Sequence, residues 1–284
     1  MVERLHLNSE LPMERSPAMP EGTEPLTAEQ AIANLRHEDL SLRYYAAWWL
    51  GKYQVSAPAA VDALIAALAD DSDRTELGGY PLRRNAARAL GKLADDRAVP
   101  GLIQCLDCDD FYVREAAAQS LGMLGNAACV PALIRLLDGG VAAAQFVAGR
   151  PHLAQPCEAV IEALGALGAT AAIDLIRPFV DHPVARVQYA ATRAMYQLTQ
   201  EAKYGERLVE ALNGTDVQLR RTALSDLGAI GYVPAAEAIA TSATENSFKL
   251  FALKGLLEHQ LRSTPDQALS DRAIEVMDLM DHLL

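Results

Sequence analysis

The chain has 284 residues, 51% of them hydrophobic and 22% charged, and a formal net charge of −12 at pH 7. That length and composition suit a soluble chain with a large core, and the acidic total works against nucleic acid, whose phosphates are bound through clustered Lys and Arg. Apolar runs stop well short of the roughly 18 residues of a membrane span, and Met1–Glu10 lacks a basic-then-apolar signal pattern, so the expectation is a cytoplasmic protein.

Residues 1–25, rich in Pro and Glu, read as a disordered tail. The chain then repeats itself. LRRNAARALGKLADDRAVPGLIQCL (82–106) is followed by VREAAAQSLGMLGNAACVPALIRLL (113–137), with weaker copies from Leu42, Val187, Leu219 and Ser247 and a degenerate one around Cys157. Indexed by one Arg-like position, the copies fall at Arg43, Arg83, Arg114, Cys157, Gln188, Arg220 and Lys249, in steps of 40, 31, 43, 31, 32 and 29. The two long steps hold insertions, DSDRTELGGYP (71–81) and GGVAAAQFVAGRP (139–151). Ala273, Val276, Met277 and Met280 keep helical spacing, which predicts a capping helix within 262–284.

A period near 31, with V-R-x-x-A-A-x-A-L-G in one helix and VPALIxLL in its partner, resembles HEAT repeats. Small Ala residues allow close helix approach, Gly is expected to end the first helix, and Pro to open the second at its first turn. The predicted fold is an all-α, HEAT-like solenoid over 26–261, a right-handed superhelix of helical hairpins. Cys105, Cys108, Cys129 and Cys157 read as partly buried free thiols, since Cys105-x-x-Cys108 lacks a second pair at metal-site spacing. No metal site is expected.

Superposed repeats let each position be compared down the stack. The column of Tyr44 runs Arg84, Glu115, Glu158, Tyr189, Arg221 and Leu250; that of Trp48 runs Arg88, Gln119, Glu162, Arg193, Ser225 and Lys254. These mostly charged columns share one helix face, predicted to meet solvent. Tyr44 and Trp48 are therefore candidates for a binding surface, beside a broken basic stripe of Arg84, Arg88, Arg193, Arg221 and Lys254. Tyr45 and Trp49 align with mostly small residues and read as packing. One arginine per repeat, Arg43, Arg83, Arg114 and Arg220, reads as hydrogen bonding between repeats.

RYYAAWWLG, GGYPLRRNAARALGKL, VQYAATRAMYQLT, YGERLVEAL and QLRRTALSDLGAIGY together resemble the E subunits of the E/F-type phycobilin lyases of cyanobacteria, over about residues 26–260. The resemblance implies a heterodimer with an F-type subunit that attaches phycocyanobilin, a substrate rather than a cofactor, to a cysteine of the phycocyanin α subunit. It implies bilin contacts at Tyr44, Trp48, Tyr80, Arg84, Arg88, Tyr189, Arg193 and Arg221, with rings stacking on aromatics and propionates held by arginines. Asp73 or Glu76 in the first insertion would bond pyrrole N–H groups and keep the bilin protonated, making its ethylidene more electrophilic. The thiol belongs to the acceptor, so none of the four cysteines is expected to carry pigment. A lyase-isomerase E subunit and a non-catalytic scaffold for phycobilisome proteins are the alternatives. A di-iron hydroxylase on the same fold would need recurring His-Glu pairs, and only His37-Glu38 occurs.

Overall fold

The structure, a computed structural model, describes residues 26–263 and 269–284; the predicted tail, 1–25, lies outside them. Among the described residues sixteen α-helices follow in order: α1 Ala28–Asn34, α2 Leu40–Lys52, α3 Pro58–Ala67, α4 Pro81–Leu93, α5 Val99–Cys105, α6 Phe111–Leu124, α7 Val130–Arg135, α8 Gly140–Ala143, α9 Cys157–Ala166, α10 Ile173–Ile176, α11 Ala185–Thr199, α12 Ala202–Ala211, α13 Val217–Ile230, α14 Ala236–Thr241, α15 Asn246–Ser263 and α16 Asp271–Asp281. Among the described residues the only extended pairing is one bridge, Phe146 to Leu153, in the second insertion. The helical hairpins of a HEAT-like solenoid gather into two compact units, one up to Ala132 and one from Leu133.

Within the first unit the long helices α2, α4 and α6 pack side by side, with α3 and α5 paired behind them; in the second, α9, α11, α13 and α15 do the same, with α12 and α14. Their starts are written in the sequence. Asp39, Asp110 and Asp216 each stand four residues before a repeat arginine and accept the backbone N–H two positions on, at 2.8 Å each, which satisfies a donor the helix leaves open. Pro58 and Pro100 open α3 and α5 in their first turns, as expected.

The repeat glycines do a different job from the one expected of them. Gly51, Gly91 and Gly228 lie inside α2, α4 and α13, not at their ends. A Cβ on Gly91 would stand 2.8 Å from the Ser120 Cα of the next helix, and one on Gly228 2.9 Å from the Ala252 Cα. These glycines let neighbouring backbones touch; the turns beyond use Ala94, Gly125, Gln200 and Gly231 in the left-handed region.

The repeat arginines join each long helix to loop carbonyls beside it. Arg43 Nε donates to the Leu35 carbonyl at 3.0 Å, Arg83 Nε to Asp70 at 2.9 Å, Arg114 Nη1 to Cys108 at 2.6 Å, and Arg220 to Gly214 and Ala243 at 2.7 and 3.0 Å. Arg43 also pairs with Asp70, and Arg83 with Asp71. At the far end, α16 packs on α14 and α15 with Ala273 and Val276 buried and Met280 against the core, while Met277 faces out.

Candidate functional site

In the first unit, α2 and α4 lie against each other, and Asn85 Nδ2 of α4 donates to the Tyr44 carbonyl at 3.0 Å. Tyr44, Trp48, Arg84 and Arg88 are all half-buried on these two helices. The predicted division between an open aromatic pair and a packed one does not appear: Tyr45 and Trp49 are half-buried too. The rings interact across the two pairs, Tyr45 with Trp48 at 5.4 Å and Trp49 with Tyr53 at 4.8 Å, and Lys52 Nζ stands 4.7 Å from the Trp48 ring. The reason is spacing, since residues three or four apart meet on a helix surface regardless of column. The result is two ring pairs along α2 and its C-cap, with Lys52 Nζ also 5.7 Å from the Tyr53 ring.

Two of the predicted residues have other employment. Tyr80, read as a bilin contact, is only 7% exposed, and its ring meets the guanidinium groups of Arg83 at 4.4 Å and Arg74 at 5.4 Å. Asp73, read as an acid toward the pigment, is 4% exposed. Its Oδ2 accepts the Leu82 N–H at 2.6 Å, at the start of α4. Here Tyr80 and Pro81 occupy the start of the helix and no adjacent side chain caps it, so the insertion returns an aspartate from nine residues upstream to do so. Burial raises the Asp73 pKa above the ordinary carboxylate value, against the pull of the Leu82 N–H. Glu76 remains exposed on the same loop.

The second unit holds the other three predicted residues. Tyr189 is half-buried and packs against the core cluster. Arg221 lies 4.8 Å from the Phe248 ring and is bonded by Glu245, which fills its fork. Arg193 Nη1 reaches Asp226 Oδ1 at 3.1 Å and Glu162 Oε1 at 4.0 Å. Asp226 is 3% exposed, and burial pushes its pKa up to about 7; Arg193 draws it down, while Glu162 and Glu158 push it up further. Sequence reasoning passed over Asp226, although it is the one charged residue in the otherwise small column of Trp49, Ala89, Ser120, Ala163, Ala194 and Gly255.

All four cysteines are free; Cys105, Cys129 and Cys157 are buried. Burial pushes the Cys105 and Cys157 thiols up to about 11, so they are poor nucleophiles. No described helix is long and apolar enough to cross a membrane.

The class defined by these repeats is the HEAT-repeat proteins. Residues 79–146 match the HEAT repeat model, and 42–70 and 157–182 match the model described as PBS lyase HEAT-like repeat. Among curated proteins the chain is 68% identical to the phycocyanobilin lyase subunit alpha of Nostoc sp. PCC 7120, covering 91% of this chain and 94% of that one. It is 60% identical to the subunit of the same name from Thermosynechococcus vestitus, over 91% and 95% of the two chains. The bilin biosynthesis protein PecE of Nostoc is 45% identical over 84% and 89%. Among solved structures, the complex of CpcE and CpcF of phycocyanin lyase from Nostoc sp. PCC7120 holds a chain 69% identical, with a TM-score of 0.87, over 94% of this chain and 98% of that one. The chain belongs to the phycocyanobilin lyase alpha-subunit family.

Proposed function

We propose that this chain is the E-type subunit of a heterodimeric phycobilin lyase that, with an F-type partner, attaches phycocyanobilin through a thioether to a cysteine of the phycocyanin α subunit in the cytoplasm. The observation that carries the reading is the match, near-complete in coverage at 69% identity, to a chain of the CpcE and CpcF complex. The lower identity to PecE favours this activity over that of the related bilin biosynthesis protein. Four free cysteines are at home in a reducing compartment.

The chemistry asked of the chain is orientation. A bilin is a long conjugated tetrapyrrole with two propionates, so aromatic rings and arginines are the groups that hold it. On α2, Tyr44 and Trp48 stack on pyrrole rings, and on α4 Arg84 and Arg88 meet propionates. In the second unit Tyr189, Arg193 and Arg221 contribute the same kinds of group. Glu76, the exposed carboxylate of the first insertion, is the candidate acid near the pyrrole nitrogens, and Asp73 serves α4 instead. The acceptor supplies the thiol, so the enzyme positions the ethylidene and excludes wrong adducts.

Co-expression with an F-type partner, a bilin source and the apo-α subunit tests this directly, with a covalently fluorescent α subunit as the expected product. Tyr44→Ala with Trp48→Ala is expected to lower the yield about fivefold or more, as the loss of two stacking contacts of about 0.5–2 kcal/mol each implies. No covalent adduct from the wild-type pair would overturn the reading; full yield from the double variant would remove α2 from the site.

A further inference from the structure

Asp226 occupies a position where the sister repeats after the first, which has Trp49, use Ala, Ser or Gly to bring helices together. Packing alone is met there by a small residue, as at Ala89 and Ala194, and Ser120 spends its hydroxyl on the Ala87 carbonyl at 2.8 Å. A carboxyl at this depth is expensive to ionise unless something compensates. What compensates is Arg193, one helix away, whose side chain is 21% exposed while Asp226 is 4%. Arg193 thus joins a closed carboxylate to a more open one, since Glu162, 34% exposed, stands 4.0 Å from the same Nη1 that reaches Asp226. Its Nε is buried with no hydrogen-bond partner.

We infer that Asp226 is a positioning residue that takes up a proton as Arg193 engages a propionate of the bilin. The inference rests on the bilin reading and deepens it. With Asp226 and Glu162 both ionised, one guanidinium is shared by two carboxylates, and an arriving propionate would make a third anion around a single cation. With Asp226 protonated, Arg193 and Glu162 balance, and the propionate meets a guanidinium that has released half of its acidic company. A carboxylate ligand therefore binds the protonated form better, and by reciprocity its binding draws a proton onto Asp226.

The surroundings leave Asp226 as the group that answers. From α11 it faces Arg193 and Tyr189, whose phenol is raised by burial first and then by Asp216 and Asp226, and from α9 Glu162 and Glu158. Glu158 is paired with Arg186 at 3.4 Å. On α15, Lys254 pairs with Glu258 at 3.6 Å and His259 holds the Ala229 carbonyl at 2.8 Å; on α12, Glu206 acts on Tyr232. Burial places the Asp226 titration near neutrality, where such uptake is measurable.

The experiment is calorimetric titration of phycocyanobilin into the heterodimer, in pairs of buffers with different ionisation enthalpies, from pH 6 to 8.5. The wild type is expected to take up a fraction of a proton near pH 7.5, with affinity falling by up to about tenfold per pH unit above neutrality. Asp226→Asn keeps an oxygen for Arg193 but cannot ionise, and should lose that share of the uptake, keeping only what the bilin nitrogens take, with a correspondingly flatter affinity. Phycocyanobilin dimethyl ester, which lacks the carboxylates, should give the same uptake with wild type and D226N. Equal uptake of the free acid by wild type and D226N, or an excess of wild type over D226N that persists with the ester, overturns the inference while leaving the bilin reading standing. Absence of any binding by the wild-type heterodimer overturns the bilin reading, and this inference with it.

Discussion

Asp226 is stabilising only while it holds its proton. Its folded-state pKa of about 7 lies above the ordinary value of 3.8, so between those limits the folded chain keeps a proton that the unfolded chain releases. Stability from this group is therefore full below about pH 4, declines as pH rises toward 7 and is gone above it. Replacement by Asn removes the titration while preserving shape and the bond from Arg193. The melting temperature of D226N relative to wild type should rise from pH 5 to about pH 7 and level off by pH 8, with a gain on the order of 2 kcal/mol at the upper end. Thermal denaturation of both proteins at each pH checks it, and a difference that stays constant with pH would show that Arg193 fully compensates the ionised carboxylate. Asp73 illustrates the opposite use of a buried acid, since one of its oxygens closes the start of α4.

At the scale of the helix, the decisive features are close approach and capping. Gly91 sits where α4 and α6 touch, and a methyl there would fall 2.7 Å from the Ser120 Cβ and 2.8 Å from its Cα. Gly125 ends α6 with φ of +73° and has nothing near its missing side chain. Gly91→Ala forces two packed helices apart and should cost about 1–3 kcal/mol, whereas Gly125→Ala only strains a turn, at about 1 kcal/mol. Denaturant midpoints of the two variants should fall in that order, and the reverse order would return the repeat glycines to a helix-ending role. Much of this level was legible from the repeats alone: the arginine column, the helix pairs and the opening prolines all follow from position. The glycines were misread because the same residue serves both as a terminator and as a point of contact, and only the neighbour across the interface distinguishes them. Likewise the aromatic columns set Tyr44 and Trp48 apart by residue type, but columns ignore contacts along one helix, and the Tyr45 ring meets that of Trp48 three residues away. The roles of Asp73 and Tyr80 come from an insertion, where no sister repeat offers a comparison.

For the molecule as a whole, each candidate face is a set of half-buried side chains on its own unit. The groove beside Arg220, about 510 Å³ and lined by Ser242, Thr244, Glu245 and Lys249, is open, and its arginine is bonded to loop carbonyls. Arg193 and Arg221 already carry acidic neighbours, so a propionate reaching them displaces or shares an existing partner. A pigment held against such a face has one side covered, whereas guiding a thiol to a single carbon requires both sides to be defined. The chain without its F-type partner should therefore bind phycocyanobilin weakly and attach it to the apo-α subunit at least a hundredfold more slowly than the heterodimer, equivalent to about 2.7 kcal/mol of lost transition-state positioning. Absorbance titration of the isolated chain, followed by single-turnover attachment with and without the partner, measures both quantities. Attachment by the isolated chain at the rate of the heterodimer would mean that its own faces suffice to enclose the reacting ring, and the partner would then be left with recognition of the acceptor.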